Sequence, residues 1–137
     1  MAKIFQNSAA KGTDTIPTSG EAADVLIKKT SFTFPGAVVA SDGAVVELAI
    51  LPARHYIADI RYIETGAVTE GKIGIMAGEV GDTVPANRAI ATNIVTGGKA
   101  NDAAFAIAPV EYDRSIGVEV TAADAAAGVT LVLLYAQ

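Results

Sequence analysis

The stretch LPARHYIADIRYIET, Leu51 to Thr65, decides how the rest of the chain is read. Tyr56, Ala58, Ile60 and Tyr62 fall at every second position, with Asp59 and Arg61 between Ile57 and Ile63 on the other parity. Side chains that alternate with period two point to opposite faces of a sheet, so this is a β-strand with one apolar and one mixed face. The same stretch holds the chain's single histidine, His55, beside Arg54. A catalytic imidazole needs a substrate or nucleophile and usually an orienting carboxylate. Asp59 is four residues away, roughly 13 Å along an extended strand, so the two form no local dyad. Histidine at a strand start and an Asp59–Arg61 surface pair is the reading adopted.

The period of two recurs on both sides. Leu26, Phe32 and Phe34 share a parity, with Lys28 and Thr30 between them; Val46, Leu48 and Ile50 alternate with Val45, Glu47 and Ala49. Ile73 and Ile75, Ile90 and Ile94, Phe105 and Ile107, and Ile116, Val118 and Val120 continue the pattern. Each run is expected to be a half-buried strand. Turn chemistry separates them at Phe34-Pro35-Gly36, Ser41-Asp42-Gly43, Thr65-Gly66, Gly78 to Arg88, Thr96-Gly97-Gly98 and Lys99 to Asp102. Helix is scarce: Gly20 to Lys29 has some propensity, and Thr121 to Ala127 is long enough for one turn. The expected fold is all-β, a single antiparallel β-sandwich, jelly-roll-like, of about eight or nine strands. The domain spans residues 24–137. Residues 1–23, rich in Ala, Gly, Ser, Thr and Asp, form an irregular amino-terminal arm or a loosely attached first strand, with Ile4 and Phe5 as its bulky anchors.

Composition excludes several functions. Hydrophobic residues make up 51% of the 137 and charged residues 18%, too apolar for disorder. The formal charge is −5 and the longest basic run is Lys28-Lys29, so no nucleic-acid partner is expected. Cysteine is absent, which removes thiolate nucleophiles and most zinc sites. No run reaches the roughly 18 apolar residues of a membrane span, and the start MAKIFQNSAAKGTDT lacks the apolar core of a secretory signal. No membrane partner is expected, and synthesis is assigned to the cytoplasm. Glu79 and Asp82 beside glycines are too few oxygens for calcium. Glu111, Asp113 and Arg114 precede a strand, and no tryptophan offers a sugar platform beside those carboxylates. GKIGIMAG has no phosphate-binding lysine. Hence no catalytic, cofactor-binding or metal residue is assigned, no cofactor is expected, and the protein is read as not an enzyme.

The final run, VTLVLLYAQ, is apolar on both parities: Val129, Leu131, Leu133 and Tyr135 on one, Val132 and Leu134 on the other. A sandwich strand is usually polar outside, and an uncovered apolar outer face invites aggregation. Either the amino-terminal arm or a second subunit covers Val132 and Leu134; residues 1–23 are poor in bulk, so a subunit is the expected cover, with Ala104, Ala106 and Ala108 allowing close approach and a symmetric homo-oligomer as the result. Ile4, Phe5, Val132 and Leu134 are thus the expected contacts with another chain, a second subunit or an unlike partner.

Three segments together, ILPARHYIADIRYIE (residues 50–64), KIGIMAGEVGDT (72–83) and FAIAPVEYDRSIGVEVTAADAAAGVTLVLLYA (105–136), resemble small structural proteins of tailed bacteriophages. Those proteins progress from an LPAG-like turn through an I/VGIMSG-x-x-GDT and an F-x-I-A-P segment to DRSIG-V-x-V and a hydrophobic last strand. The likeness runs over about Val45 to Gln137, with Ala53 a departure where glycine is expected. It implies a capsid decoration or cement protein on the outer head surface, a homotrimer that binds the major capsid protein and bridges its neighbouring subunits. The alternatives are a phage tail or neck protein, a receptor- or carbohydrate-binding β-sandwich module, and a hydrolase built on a sandwich.

Overall fold

A computed structural model describes residues 3–6, 25–82, 88–96, 99–100 and 102–137. Its strands are β1 (Lys3–Gln6), β2 (Leu26–Thr33), β3 (Ala44–Leu51), β4 (Tyr56–Thr65), β5 (Val68–Met76), β6 (Ile90–Thr96), β7 (Lys99–Ala100), β8 (Arg114–Ala123) and β9 (Gly128–Ala136), with one short helix, α1 (Asp102–Ala106), between β7 and β8. They form a two-sheet sandwich: six strands in the order β1-β3-β8-β5-β6-β7 face three in the order β2-β9-β4. The all-β sandwich expected from the sequence is what the chain forms. Lys3–Gln6 is a strand of the larger sheet; the rest of the expected arm, residues 1–2 and 7–23, lies outside the described residues, as does the start of the helix considered at Gly20 to Lys29, whose last four residues are strand β2 instead.

The chain crosses between the sheets at its turns. Phe34, fully buried, ties one crossing to another: its N–H donates to the Ala127 carbonyl (2.8 Å) and its carbonyl accepts from Ala126 N–H (3.0 Å). Gly43 and Gly66 hold left-handed backbone, at φ 64° and 77°, within the turns expected at Ser41-Asp42-Gly43 and Thr65-Gly66. At the β3–β4 crossing the left-handed residue is Arg54, φ 65°. The backbone that favours glycine therefore sits one position after Ala53. Arg54 is held there by its N–H donating to the Val110 carbonyl (2.7 Å).

The core lies between the sheets. β9 contributes Val129, Leu131, Leu133 and Tyr135, and β4 contributes Ile57, Ile60 and Tyr62 across from them. A register shift between Ile57 and Asp59 breaks the expected parity of β4: Ile57 turns inward, while Tyr56 is exposed and Ala58 only half-buried. A bulge adds a residue to one strand and re-aims its side chains, which strict alternation cannot anticipate.

Other expectations fail: the turn expected at Lys99 to Asp102 holds strand β7 and the start of α1. β3 is not half-buried; both its faces are covered along nearly all its length. Phe105 lies on α1 rather than on a strand, and it is exposed. Thr121 to Ala123 complete β8, so the turn is confined to Asp124–Ala127, where Ala127 N–H donates to the Asp124 carbonyl (3.1 Å).

Two glycines allow neighbouring strands of the larger sheet to approach closely. A Cβ at Gly74 would stand 1.9 Å from the Thr92 carbonyl oxygen, and one at Gly117 would stand 2.4 Å from that of Val46. Both obstacles are backbone and cannot rotate away. Gly74→Ala is expected to destabilise the fold by about 2 kcal/mol or more, in the range of core overpacking. The midpoint of urea unfolding measures it; an unchanged midpoint would show that β5 and β6 are farther apart than described.

Candidate interaction surface and buried polar network

The expected contact residues fall on two different sheets. Val132 and Leu134 lie on the outer face of the three-stranded sheet and are half-buried by their neighbours alone. Across the register, Ile27 and Asp59 flank Leu134, Lys29 and Arg61 flank Val132, and Ser31 and Ile63 flank Thr130. Ile27 is 69% exposed and Ile63 53%. The result is an apolar diagonal, Ile27–Leu134–Val132–Ile63, bordered by Lys29, Arg61 and Asp59. The polar groups are partly engaged within the face: Arg61 Nε is 3.5 Å from Asp59 Oδ2, and the Ser31 and Thr130 hydroxyls are 2.9 Å apart. Ile4 and Phe5 are elsewhere, on β1 beside Val45 and Val46 of β3.

Sequence reasoning missed the network on the opposite side of the molecule. Glu47 and Arg88 are 0% and 1% exposed and form an ion pair. The same guanidinium nitrogen, Nη2, donates to Ser115 Oγ (2.7 Å), which donates to Glu47 Oε2 (2.8 Å). Nη1 donates to the carbonyls of Ala77 and Glu79, both at 3.0 Å. Val45, Met76 and Ile90 form a separate apolar cluster around this pair, on the parity of β3 opposite Val46. The signal was legible in part: Glu47 interrupts the otherwise apolar run AVVELAIL, but nothing in the sequence points to a partner 41 residues away.

A second polar group sits where β4 passes to β5. Glu64 shares the inward parity of Ile60 and Tyr62, and its Oε1 is buried without a hydrogen-bond partner, as is the Tyr62 hydroxyl. Burial, then the hydrogen bond and charge of neighbouring Glu70, raise the Glu64 carboxyl to about 7. Burial, then the charges of Glu64 and Glu70, push the Tyr62 phenol well above its ordinary range. At the far end of the sandwich, burial lowers the Arg114 guanidinium, whose Nε and Nη2 have no partner.

The residues weighed for chemistry are occupied locally. His55 Nδ1 donates to the Ala53 carbonyl (2.8 Å), and the ring packs edge-on against Tyr135 at 5.4 Å. Asp59 Oδ1 accepts from Ile60 N–H (2.9 Å), Asp82 Oδ2 from Glu79 N–H (2.9 Å) and Asp113 Oδ1 from Ala53 N–H (2.8 Å). Glu111 pairs with Arg54 Nε at 2.9 Å on the surface. Glu79, Tyr112 and Asp113 do meet at one shallow cavity of about 520 Å³, with Gly78 and Val80. Among the described residues, no three His, Cys, Asp or Glu side chains gather as metal ligands.

The chain is similar over nearly its whole length to a solved structure titled "Capsid of Ralstonia phage GP4": the TM-score is 0.75 at 29% identity, covering 98% of this chain and 97% of that one. No protein-family model and no curated protein matches it. The resemblance to phage virion proteins drawn from the sequence thus has a phage capsid chain as its structural counterpart.

Two outcomes are expected. Arg88→Ala leaves the Glu47 charge buried with only the Ser115 hydroxyl to meet it, at a cost of about 3–5 kcal/mol; pairing it with Glu47→Gln returns a large part of that loss, read as a double-mutant cycle in urea. Glu64 holds its proton more tightly folded than unfolded, so the folded chain binds more protons between the two pKa values and stability falls as pH rises. The fall is expected from about pH 4.5 to about 7, levelling above, and Glu64→Gln flattens it. Unfolding midpoints at pH 4.5, 6 and 8 test the sign.

Proposed function

We propose that this protein is a non-enzymatic structural component of a phage virion, decorating the outer surface of the head. It works as a homo-oligomer, a trimer, that bridges neighbouring subunits of the major capsid protein. The observation that carries the reading is the end-to-end likeness to a phage capsid chain. The apolar diagonal over Val132 and Leu134 supports the oligomer, because an isolated copy leaves Ile27 and Ile63 largely in water.

The size of that diagonal limits what it does. A patch of about 400 Å² contributes about 10 kcal/mol at 25 cal/mol per Å². Lost translational and rotational freedom costs about 4–15 kcal/mol. One such contact is marginal, and several closed by symmetry are not. A decoration protein uses that arithmetic: each contact is weak, and the lattice supplies many.

A carbohydrate-binding module is the second reading, favoured only by Tyr112, which is exposed beside Glu79 and Asp113 at the shallow cavity.

Mass photometry of the isolated protein and co-sedimentation with expanded heads lacking it test the proposal together. The wild type is expected as a trimer that pellets with heads. Val132→Asp and Leu134→Asp are expected to give folded monomers with binding reduced at least tenfold. Tyr112→Ala is expected to bind heads normally. A wild-type monomer at micromolar concentration that ignores the heads would remove the reading.

A further inference from the structure

β1 is the odd member of its sheet. Among the described strands every other pairing is antiparallel; β1 alone runs parallel to its neighbour, with Lys3 beside Ala44 and Gln6 beside Glu47. Among the described strands it is also the only one on that side of β3. β3 is buried on both faces, so without β1 its edge would be a row of unpaired backbone groups between apolar side chains, a ready template for another chain. Every copy needs that edge covered. Nothing requires the covering strand to be its own.

The connection leaves the source open. A two-residue hairpin forces a strand to pair with its own chain, whereas a parallel strand arrives over a long connection. Here residues 7–24, eighteen of them, separate β1 from the next described residue, Val25. Extended, they reach up to about 60 Å, against a radius of gyration of about 14 Å for a chain of this length. A neighbouring copy's β3 is within range. Exchange keeps the same backbone bonds in the same register, so its free-energy cost is small, and in a closed ring every edge is filled.

We propose that β1 is an exchanged strand: in the oligomer, Lys3–Gln6 of one copy pairs with β3 of the next and completes that copy's six-stranded sheet. The proposal rests on the homo-oligomer reading above and adds to it a link made of backbone hydrogen bonds. It separates the two groups of expected contacts by role. Ile4 and Phe5 belong to a strand that reaches across to a neighbour, while Val132 and Leu134 belong to a face that packs on one.

The chain has no cysteine, so introduced thiols can pair only with each other. Ile4 and Val45 are partners in the register, and adjacent strands about 4.8 Å apart lie within disulfide range. Ile4→Cys and Val45→Cys are placed in separate chains and coexpressed, one with a tag that changes its mass. Exchange is expected to give a disulfide-linked pair of unlike chains on a non-reducing gel, absent when either variant is expressed alone. Should Val45→Cys fail to fold, Lys3→Cys with Ala44→Cys repeats the test at the adjacent register pair. An oligomer of wild-type mass with no interchain disulfide, while the double variant closes only within one chain, overturns the exchange and leaves the oligomer standing. A monomeric wild type by mass photometry overturns both.

Discussion

A carboxylate buried in the middle of β3 has to be neutralised where it stands, and that requirement organises one whole side of the molecule. Glu47 is enclosed between β1 and β8, where an unpaired charge would cost several kcal/mol after any relaxation. Arg88 meets it, and the arginine comes with obligations of its own. Its second nitrogen takes the carbonyls of Ala77 and Glu79, so both ends of the β5–β6 connection are drawn onto the sheet. Ser115 joins from β8. A one-residue slip of β3 against β8 would carry Glu47 away from Ser115 and to the opposite face, so the pair fixes register as much as it binds. Replacing such a pair by apolar groups is often neutral or stabilising; its contribution is the uniqueness of the arrangement.

The layer above β3 is possible only because the sheet is thin there. Gly117 is the register partner of both Glu47 and Gly74. A side chain at Gly117 would meet Met76 Sδ at 2.7 Å, besides the Val46 carbonyl. Gly117 therefore admits Met76 and Gly74 admits β6, and Arg88 Nη2 lies 4.0 Å from Met76 Sδ. This is why β3 is buried on both faces, with β8 along one of its edges and β1 along the other.

The elements legible in the sequence were those whose period survived folding. β9 alternates without a bulge, and its inward set, Val129 to Tyr135, is the set its parity names. β2 likewise turns Leu26, Thr30 and Phe32 inward. Where alternation misled, a local event had displaced it. The bulge at Ile57/Asp59 swapped the faces of β4 in mid-strand. In FAIAP, Phe105 and Ile107 have strand spacing, but the short preceding segment DAAFA forms a helical turn, in keeping with the helix preference of alanine. The Glu64 group was readable and overlooked, since it continues the parity of Ile60 and Tyr62. The Glu47–Arg88 pair was not, because a contact across 41 residues is a tertiary fact with no local trace.

The two outer faces of the sandwich answer the same problem differently, and the difference bears on what the protein does. One sheet covers its outer face around Glu47 with its own chain through a buried ion pair, which is costly to disturb. The other leaves Val132 and Leu134 half-covered, with Ile27 and Ile63 in water and Lys29, Arg61 and Asp59 at the rim. Charges of both signs at the rim favour one docking orientation over others while adding little net affinity. Of the ionisable side chains weighed for chemistry, His55 and Asp82 bond the backbone of their own turns, at Ala53 and Glu79, and Asp113 bonds the Ala53 N–H of the β3–β4 connection. On the proposed role, the closed side serves as the body of the molecule and the open face as its weak contact. Weak adhesion gains strength by repetition, and a closed symmetric shell offers the same contact at every equivalent position.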